Sequence, residues 1–382
     1  MIPRAAQRTL RKLAKGFPVV LLTGPRQSGK TTLARATFPR KAYVSLENPE
    51  DRRFATEDPK GFLQRFRSGA VIDEAQHCPE LFSYIQTHVD RAGRQGLFVL
   101  TGSQNLALVS RVSQSLAGRA GRVELLPLAW RELEEAGAAP RDLNQLLFKG
   151  GYPAIHARDI APAHWYANYI ATYLERDVRQ LSNIQDLMTF QRFVRLCAAR
   201  TGQLLNLASL AVDCGVAQGT ARAWLSVLQA SYLAFLLPPH HRNFGKRLIK
   251  SPKLYFHDTG LAASLIGIES PAHLAIRPER PALFETFIVN EFLRRRWNSG
   301  LPSNLYFWRD NVGTEIDLVM EEGAKLLPVE VKSGSTINEE FFSSLRKWGR
   351  YAGELGGVPA LIYGGDESYL RSGIRVTSWR DL

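Results

Sequence analysis

Cysteine is scarce: Cys78, Cys197 and Cys214 are the three in 382 residues, and their spacing fits neither a disulfide framework nor a zinc site. Long apolar runs are missing too, since none approaches the roughly 18 residues of a membrane-crossing helix. Internal repeats and low-complexity linkers are also lacking, so the domain joints are short and packed. The N-terminal stretch is basic, but its apolar run "FPVVLLTG" leads straight into a glycine-rich loop and reads as a buried strand, not a secretion signal. What remains is a cytoplasmic globular chain whose length implies about two to four domains.

What is present in excess is positive charge. Lys and Arg number 49 against 36 Asp and Glu, a formal +13. That balance suits a polyanionic partner, because each phosphate neutralised releases counterions. A merely basic surface has the same composition, so the placement of the cations decides.

Between about residues 17 and 126, short apolar runs alternate with helical patterns. The runs "PVVLLTG", "KAYVSLE", "AVIDEA", "LFVLTGS" and "RVELLPL" predict strands of a parallel sheet covered by helices on both faces. "RELEEAGAAPRD" reads as a polar exit from this domain. "HWYANYIATYLERDVRQL" then has helical spacing. Further on, helix "LFETFIVNEFLRRRW", strands "LYFWRD", "EIDLVME" and "LLPVEVKS", a helix over 338–353 and a last strand "VPALIYGG" are expected.

The segment "GPRQSGKT" fits G-x-x-x-x-G-K-[ST] at Gly24, Gly29, Lys30 and Thr31, with Thr32 following. It lies between a strand and a helix, where backbone N–H groups cradle phosphates, the lysine reaches the β/γ-phosphates and the hydroxyl holds Mg²⁺. ATP and Mg²⁺ are the cofactors expected. In "GAVIDEAQ", Asp73 and Glu74 end a strand. The aspartate is placed to hold the Mg²⁺ water shell and the glutamate to polarise the attacking water. "LFVLTGSQN" brings Ser103 and Gln104 to the same sheet edge as sensors of the γ-phosphate. "SLAGRAGRVELLPL" offers Arg119 and Arg122; Arg119, in a glycine-flanked loop, is the one expected to reach a neighbouring subunit's transition state.

With these motifs the chain resembles the AAA+ superfamily, and more closely a widespread prokaryotic group that joins such a core to an uncharacterised C-terminal domain. The likeness extends over nearly the full length, through "LTGPRQSGKTTL", "VIDEAQ", "LTGSQN", "LAGR", "GGYPA", "YLERDV", "FHDTGL", "FETFIVNE" and "EIDLV…VEVKSG". It implies an ATPase and leaves the substrate open.

"LNLASLAVDCGVAQGTARAWLSVL" has the layout of a helix-turn-helix, turning at Gly215, with Arg222 on its second helix. The strands "YLAFLLPP" and "KLYFHD" are expected to close a wing whose tip carries Arg242, Lys246, Arg247, Lys250 and Lys253 for a DNA backbone. Winged helices also serve as protein-contact modules.

In "GTEIDLVMEEGAKLLPVEVKSG", Asp317 is expected to end one strand, while Glu330 and Lys332 alternate on the next and project from one face. An acid beside Glu-x-Lys resembles the metal edge of PD-(D/E)xK nucleases. With Glu285 on the upstream helix, the order looks like that of archaeal Holliday junction resolvases, although "GTEID" has no proline before its aspartate. The resemblance implies that Glu285, Asp317 and Glu330 hold Mg²⁺ while Lys332 orients water. Binding without cutting is the expected use, because an unrestrained nuclease coupled to a motor endangers its host.

The fold class expected is therefore α/β in four parts: a P-loop AAA+ core with a parallel sheet (1–138), a helical connector or lid (139–190), a winged helix (191–276) and a restriction-endonuclease-like mixed α/β domain (277–382). The function expected is a Mg²⁺-dependent ATPase that forms a homo-oligomeric ring, a hexamer, and remodels DNA. Branched DNA such as a Holliday junction is the specific expectation, and no membrane is involved. The rivals are an ATP-gated protein-binding switch in defence or toxin regulation, and an ATP-licensed nuclease.

Overall fold

The structure, a computed structural model, describes residues 2–103, 115–158, 160–172, 186–241 and 249–382. Gln104, Arg242, Lys246 and Arg247, together with the "YLERDV" motif, lie outside them. By its contacts the chain divides into two compact units. One comprises Met1–Leu128, Ala230–Tyr232 and Arg294–Pro302; the other comprises Ala129–Gln229, Leu233–Leu293 and Ser303–Leu382.

The first unit is built on five parallel strands: β1 (Val19–Thr23), β2 (Ala42–Ser45), β3 (Ala70–Asp73), β4 (Phe98–Gly102) and β5 (Ala120–Glu124). Their order is β2-β3-β4-β1-β5. β1 and β4 are buried along their whole length, which is why they read as unbroken apolar runs. Side chains alternate between two cores. Val19, Leu21, Ile72 and Leu100 face Phe62, Phe82 and Ile85. Val20, Leu22, Val71 and Val99 face Ala6, Leu10, Leu33 and Ala34. The helices supplying these partners are α1 (Ala6–Gly16), α2 (Lys30–Thr37), α4 (Pro59–Gln64) and α5 (Leu81–Ala92), and α3 (Pro49–Glu57) adds Ala55. α3 and α4 start at prolines, each behind a side-chain cap: Asn48 accepts from the Glu50 N–H and Asp58 from the Gly61 N–H. β1 feeds the distant edge strand β2 while β4 and β5 flank it, so the strand order switches at β1. In such sheets ligands bind outside the carboxyl ends of the strands at the switch point.

The second unit begins with α6 (Trp130–Glu135), α7 (Leu143–Lys149), α8 (Pro153–Ala157) and α9 (Pro162–Tyr169). Next come α10 (Leu187–Ala199), β6 (Gln203–Leu204), α11 (Leu207–Cys214), α12 (Gln218–Ala230), β7 (Ala234–Leu237) and β8 (Lys253–Phe256), with the strands in the antiparallel order β6-β8-β7. Gly215 closes α11 in the left-handed region. After α13 (Thr259–Leu265), α14 (Pro271–Ala275) and α15 (Arg280–Asn298) the chain forms a second, mixed sheet. It contains β9 (Leu305–Arg309), β10 (Glu315–Glu322), β11 (Lys325–Lys332), β12 (Ala360–Tyr363), β13 (Tyr369–Arg371) and β14 (Ile374–Ser378), in the order β13-β14-β12-β11-β10-β9. α16 (Ser343–Ala352) packs on it through Leu345 and Trp348. Among the described residues no helix is long and apolar enough to cross a membrane.

Four sequence expectations need correction. The polar exit forms most of α6, whose first residue, Trp130, packs against Trp379 with ring centroids 4.8 Å apart and planes tilted by 58°; three of its positions, Trp130, Glu132 and Leu133, are buried. "VPALIYGG" is not the last strand. A hairpin follows, turning at Ser372 and Gly373, both at positive φ (53° and 76°), and its exposed outer strand carries no apolar pattern to betray it. Asp317 lies third in β10 rather than at its end. Lys253 is not on an exposed hairpin tip: it opens β8 and is 3% exposed.

Candidate functional site

The carboxyl edge of the first sheet gathers the nucleotide motifs. Thr23 ends β1 and Asp73 ends β3, while Ser103 follows β4 directly, so the parallel register brings all three to one edge. The loop between β1 and α2 needs its glycines. A Cβ on Gly24 would sit 2.1 Å from the Leu125 carbonyl oxygen, and Gly29 opens α2 at φ +93°. Lys30 is buried, and its ammonium donates to the carbonyls of Gly24 (3.0 Å) and Pro25 (2.7 Å). Burial pushes its pKa down to about 8, against the raising influence of Glu74 and Asp73. Thr32, next on the helix, is exposed.

Thr31 Oγ1 lies 2.9 and 3.0 Å from the two oxygens of Asp73. A hydroxyl and a carboxylate so placed fit octahedral Mg²⁺ beside a triphosphate. Thr101 Oγ1 also bonds Asp73, and Tyr43 donates to it at 3.0 Å. Glu74 occupies the left-handed region, φ 52° and ψ 44°, which costs energy in a non-glycine residue. Its carboxylate accepts from Ser103 Oγ (3.2 Å) and from Gln76. Asp73 and Glu74, though adjacent, are thus held by separate sets of partners.

The sequence reading missed Thr101, Gln76 and Tyr43. Thr101 is two residues from the serine that was singled out, but only the β3–β4 register places it on Asp73. Arg119 is not brought to this edge. It immediately precedes β5, whose first residue pairs with the first of β1, and so sits at the opposite edge, held by Asp90 on α5 through bonds of 2.6 and 3.0 Å. Arg122 bonds Glu124, and Tyr232 donates to Thr23 (2.8 Å).

Lys30 makes the edge sensitive to pH. A triphosphate needs the ammonium form, and free Lys30 loses it above about pH 8. ATP affinity is expected to be level below pH 8, then to fall up to about tenfold per pH unit towards pH 10, with proton uptake on binding. Calorimetry across that range checks it. Lys30→Arg, always charged, is expected to bind more weakly with no such slope.

In the second unit, Glu285 on α15, Asp317 on β10 and Glu330 with Lys332 on β11 do come together, because β10 and β11 pair antiparallel with Leu318 opposite Val329. Lys332 Nζ is 2.6 Å from Glu330 and 3.9 Å from Asp317, and the Val331 N–H donates to Asp317 at 2.8 Å. The unforeseen member is Lys253, whose ammonium lies 2.8 Å from Glu285, 2.5 Å from Glu315 and 4.0 Å from Asp317. Tyr255 donates to Glu285 as well. Burial raises Glu285 to about 7 and Glu330 to about 8, the latter helped by the charge of Asp317. Burial alone would lower Lys253, but Glu285, Tyr255, Asp317 and Glu315 outweigh it and hold the ammonium well above its usual range. A divalent ion does not fit between Glu285 and Asp317 here, since the ammonium stands in that place.

Arg222 is exposed on α12 and Lys250 is exposed ahead of β8. The motifs "GGYPA" and "FHDTGL" meet at Asp258. Its carboxylate accepts from the Gly151 N–H (2.7 Å), the Leu261 N–H (2.8 Å) and Tyr166 (2.7 Å). A Cβ on Gly150 would lie 2.4 Å from that carboxylate, and one on Gly260 would lie 2.3 Å from the Tyr166 oxygen. These motifs make a packed, hydrogen-bonded joint.

A five-stranded parallel sheet with a phosphate loop, an aspartate on the loop's threonine and a separately held glutamate defines a P-loop ATPase of the AAA class. Residues 16–134 match the model of an AAA domain, 140–272 that of a domain of unknown function, DUF8612, and 280–382 that of another, DUF4143. Uncharacterised proteins of Mycobacterium tuberculosis and Mycobacterium bovis are each 38% identical to the chain over 338 residues, 87% of this chain and 74% of theirs. The chain belongs to the same family as these mycobacterial proteins. Among solved structures, a Walker-type ATPase of Pyrococcus abyssi is 16% identical, covering 69% of this chain and 96% of that one at a TM-score of 0.46. The Thermotoga maritima RuvB Holliday junction branch migration motor is 18% identical, covering 61% and 89% at 0.31.

Proposed function

We propose that the chain is a Mg²⁺-dependent ATPase that works on DNA, branched DNA in the first place, as a homo-oligomeric ring. In the chemical step Lys30 and the loop N–H groups bind the β/γ-phosphates, while Glu74, oriented by Ser103 and Gln76, takes a proton from the attacking water. Thr31 and Asp73 would hold Mg²⁺, which would supply charge neutralisation on the phosphates. Arg119 faces away from its own loop, so it serves a neighbour's γ-phosphate and must leave Asp90 to do so. This supports a ring with shared sites, a hexamer being the closed arrangement favoured here. A chain that sediments as a monomer with ATP at working concentration contradicts it.

The observation that carries the DNA half is the element order α10-β6-α11-α12-β7-β8, the order of a winged helix. Arg222 is exposed on the second helix of its turn, and in the sequence Arg242, Lys246, Arg247 and Lys250 fall between the last two strands. The boundaries proposed are those of an ATPase core to 138, a connector to 190, a winged helix to 276 and a resolvase-like domain beyond.

Gel shifts with single-stranded, duplex, forked and four-way DNA at one fixed salt concentration test the reading. Four-way DNA is expected to bind tightest, and Arg222→Glu with Lys250→Glu to weaken every form and flatten the salt dependence. Equal, salt-insensitive binding by the wild type and the double variant contradicts it.

A further inference from the structure

We infer that Lys253 is a built-in cation which takes the place of a divalent metal in the acid centre of the second unit. On this account the centre, as folded, is a lysine lock that joins β8 to the C-terminal sheet and is not a metallonuclease site.

The geometry is the first support. The Lys253 side chain is 4% exposed, and its ammonium makes contacts of 2.8 Å to Glu285 and 2.5 Å to Glu315, with Asp317 at 4.0 Å. Mg²⁺ needs oxygens at about 2.0–2.1 Å on all sides, and the ammonium already fills that volume. The ammonium also lies over the Phe307 ring, with Nζ 5.6 Å from the centroid, so the head faces an aromatic side too.

Charge is the second support. Among the described residues the carboxylates around the centre are Glu285, Glu315, Asp317 and Glu330. The cations facing them are Lys253, Lys332 and Arg309, the last bonded to Glu315 at 2.9 Å. Four acids against three cations leave one negative charge, so these side-chain cations already offset most of the charge a divalent ion would. The Lys332 ammonium, tied to Glu330, completes a pair of lysines bracketing Asp317.

The third support is where Lys253 comes from. It belongs to β8, whose Leu254 and Tyr255 pair with β6 and β7, so one residue ties the three-stranded sheet to the acids of β10 and α15. Withdrawing β8 would remove the cation and expose Asp317 and the otherwise unpartnered Glu330 Oε2 to a metal.

The test uses Mn²⁺ alone, without nucleotide or DNA, so it stands or falls apart from the DNA reading. Mn²⁺ binding is measured by electron paramagnetic resonance on the full chain, comparing wild type with Asp317→Asn, and Lys253→Met with Lys253→Met/Asp317→Asn. The wild type is expected to show no Asp317-dependent Mn²⁺. Lys253→Met is expected to gain one equivalent per chain, lost again in the double variant. Should Lys253→Met not fold, Lys253→Gln, which keeps a hydrogen-bonding head, takes its place. An Asp317-dependent Mn²⁺ in the wild type overturns the inference without any lysine variant, and so does a folded Lys253 variant that gains no ion.

Discussion

A Glu74→Gln chain is expected to bind ATP as the wild type does and to hydrolyse it about 10²- to 10⁴-fold more slowly. The amide keeps the size of the side chain and can still bond Ser103, which lies 3.2 Å from the carboxylate. What it loses is the ability to take a proton from water. Phosphate binding rests on other groups, the loop and the Lys30 ammonium, and Thr31 with Asp73 is untouched. Nucleotide affinity and single-turnover hydrolysis, measured on the same preparation, separate the two steps. Wild-type turnover in Glu74→Gln removes this residue from the role of base, while a parallel loss of affinity recasts it as part of the binding loop.

The second large effect concerns stability. Asp258→Ala is expected to destabilise the second unit by about 3–5 kcal/mol, because three donors, the Gly151 and Leu261 N–H groups and the Tyr166 hydroxyl, lose a common buried acceptor. Tyr166→Phe removes one of the three and is expected to cost about 1–2 kcal/mol. Urea unfolding checks both. ATP turnover at a permissive temperature is expected to survive in Asp258→Asn, since the carboxylate serves packing. A folded Asp258→Asn chain without turnover gives this motif a chemical role that the joint does not predict.

How far the sequence alone carried these conclusions depended on how local each feature is. The phosphate loop was legible because its ligands come from eight consecutive residues between a strand and a helix. Asp73 and Glu74 were legible because a buried strand ends on them. Thr101 and Tyr43 were not, since they reach Asp73 only through the order and register of strands far apart in the chain. Lys253 was misread for a related reason. It closes a basic run, "GKRLIKSPK", in which each cation looks alike until β8 is seen to start at that lysine and bury it. The acids of β10 and β11 were found from their alternation, but alternation does not say what cation they face. Arg119 was chosen from its glycine-flanked loop. The parallel register then put it at the edge remote from its own phosphate loop, where Asp90 holds it.

The rate of ATP hydrolysis with and without DNA bears most directly on the central claim, that this nucleotide edge drives work on DNA. At fixed low salt, saturating four-way DNA is expected to raise the wild-type rate several-fold, duplex DNA to raise it less, and Arg222→Glu/Lys250→Glu to lose the stimulation while keeping its basal rate. A wild-type rate that stays the same with every DNA form, in a chain that hydrolyses ATP, contradicts the account and leaves an ATP-gated switch acting on a protein partner.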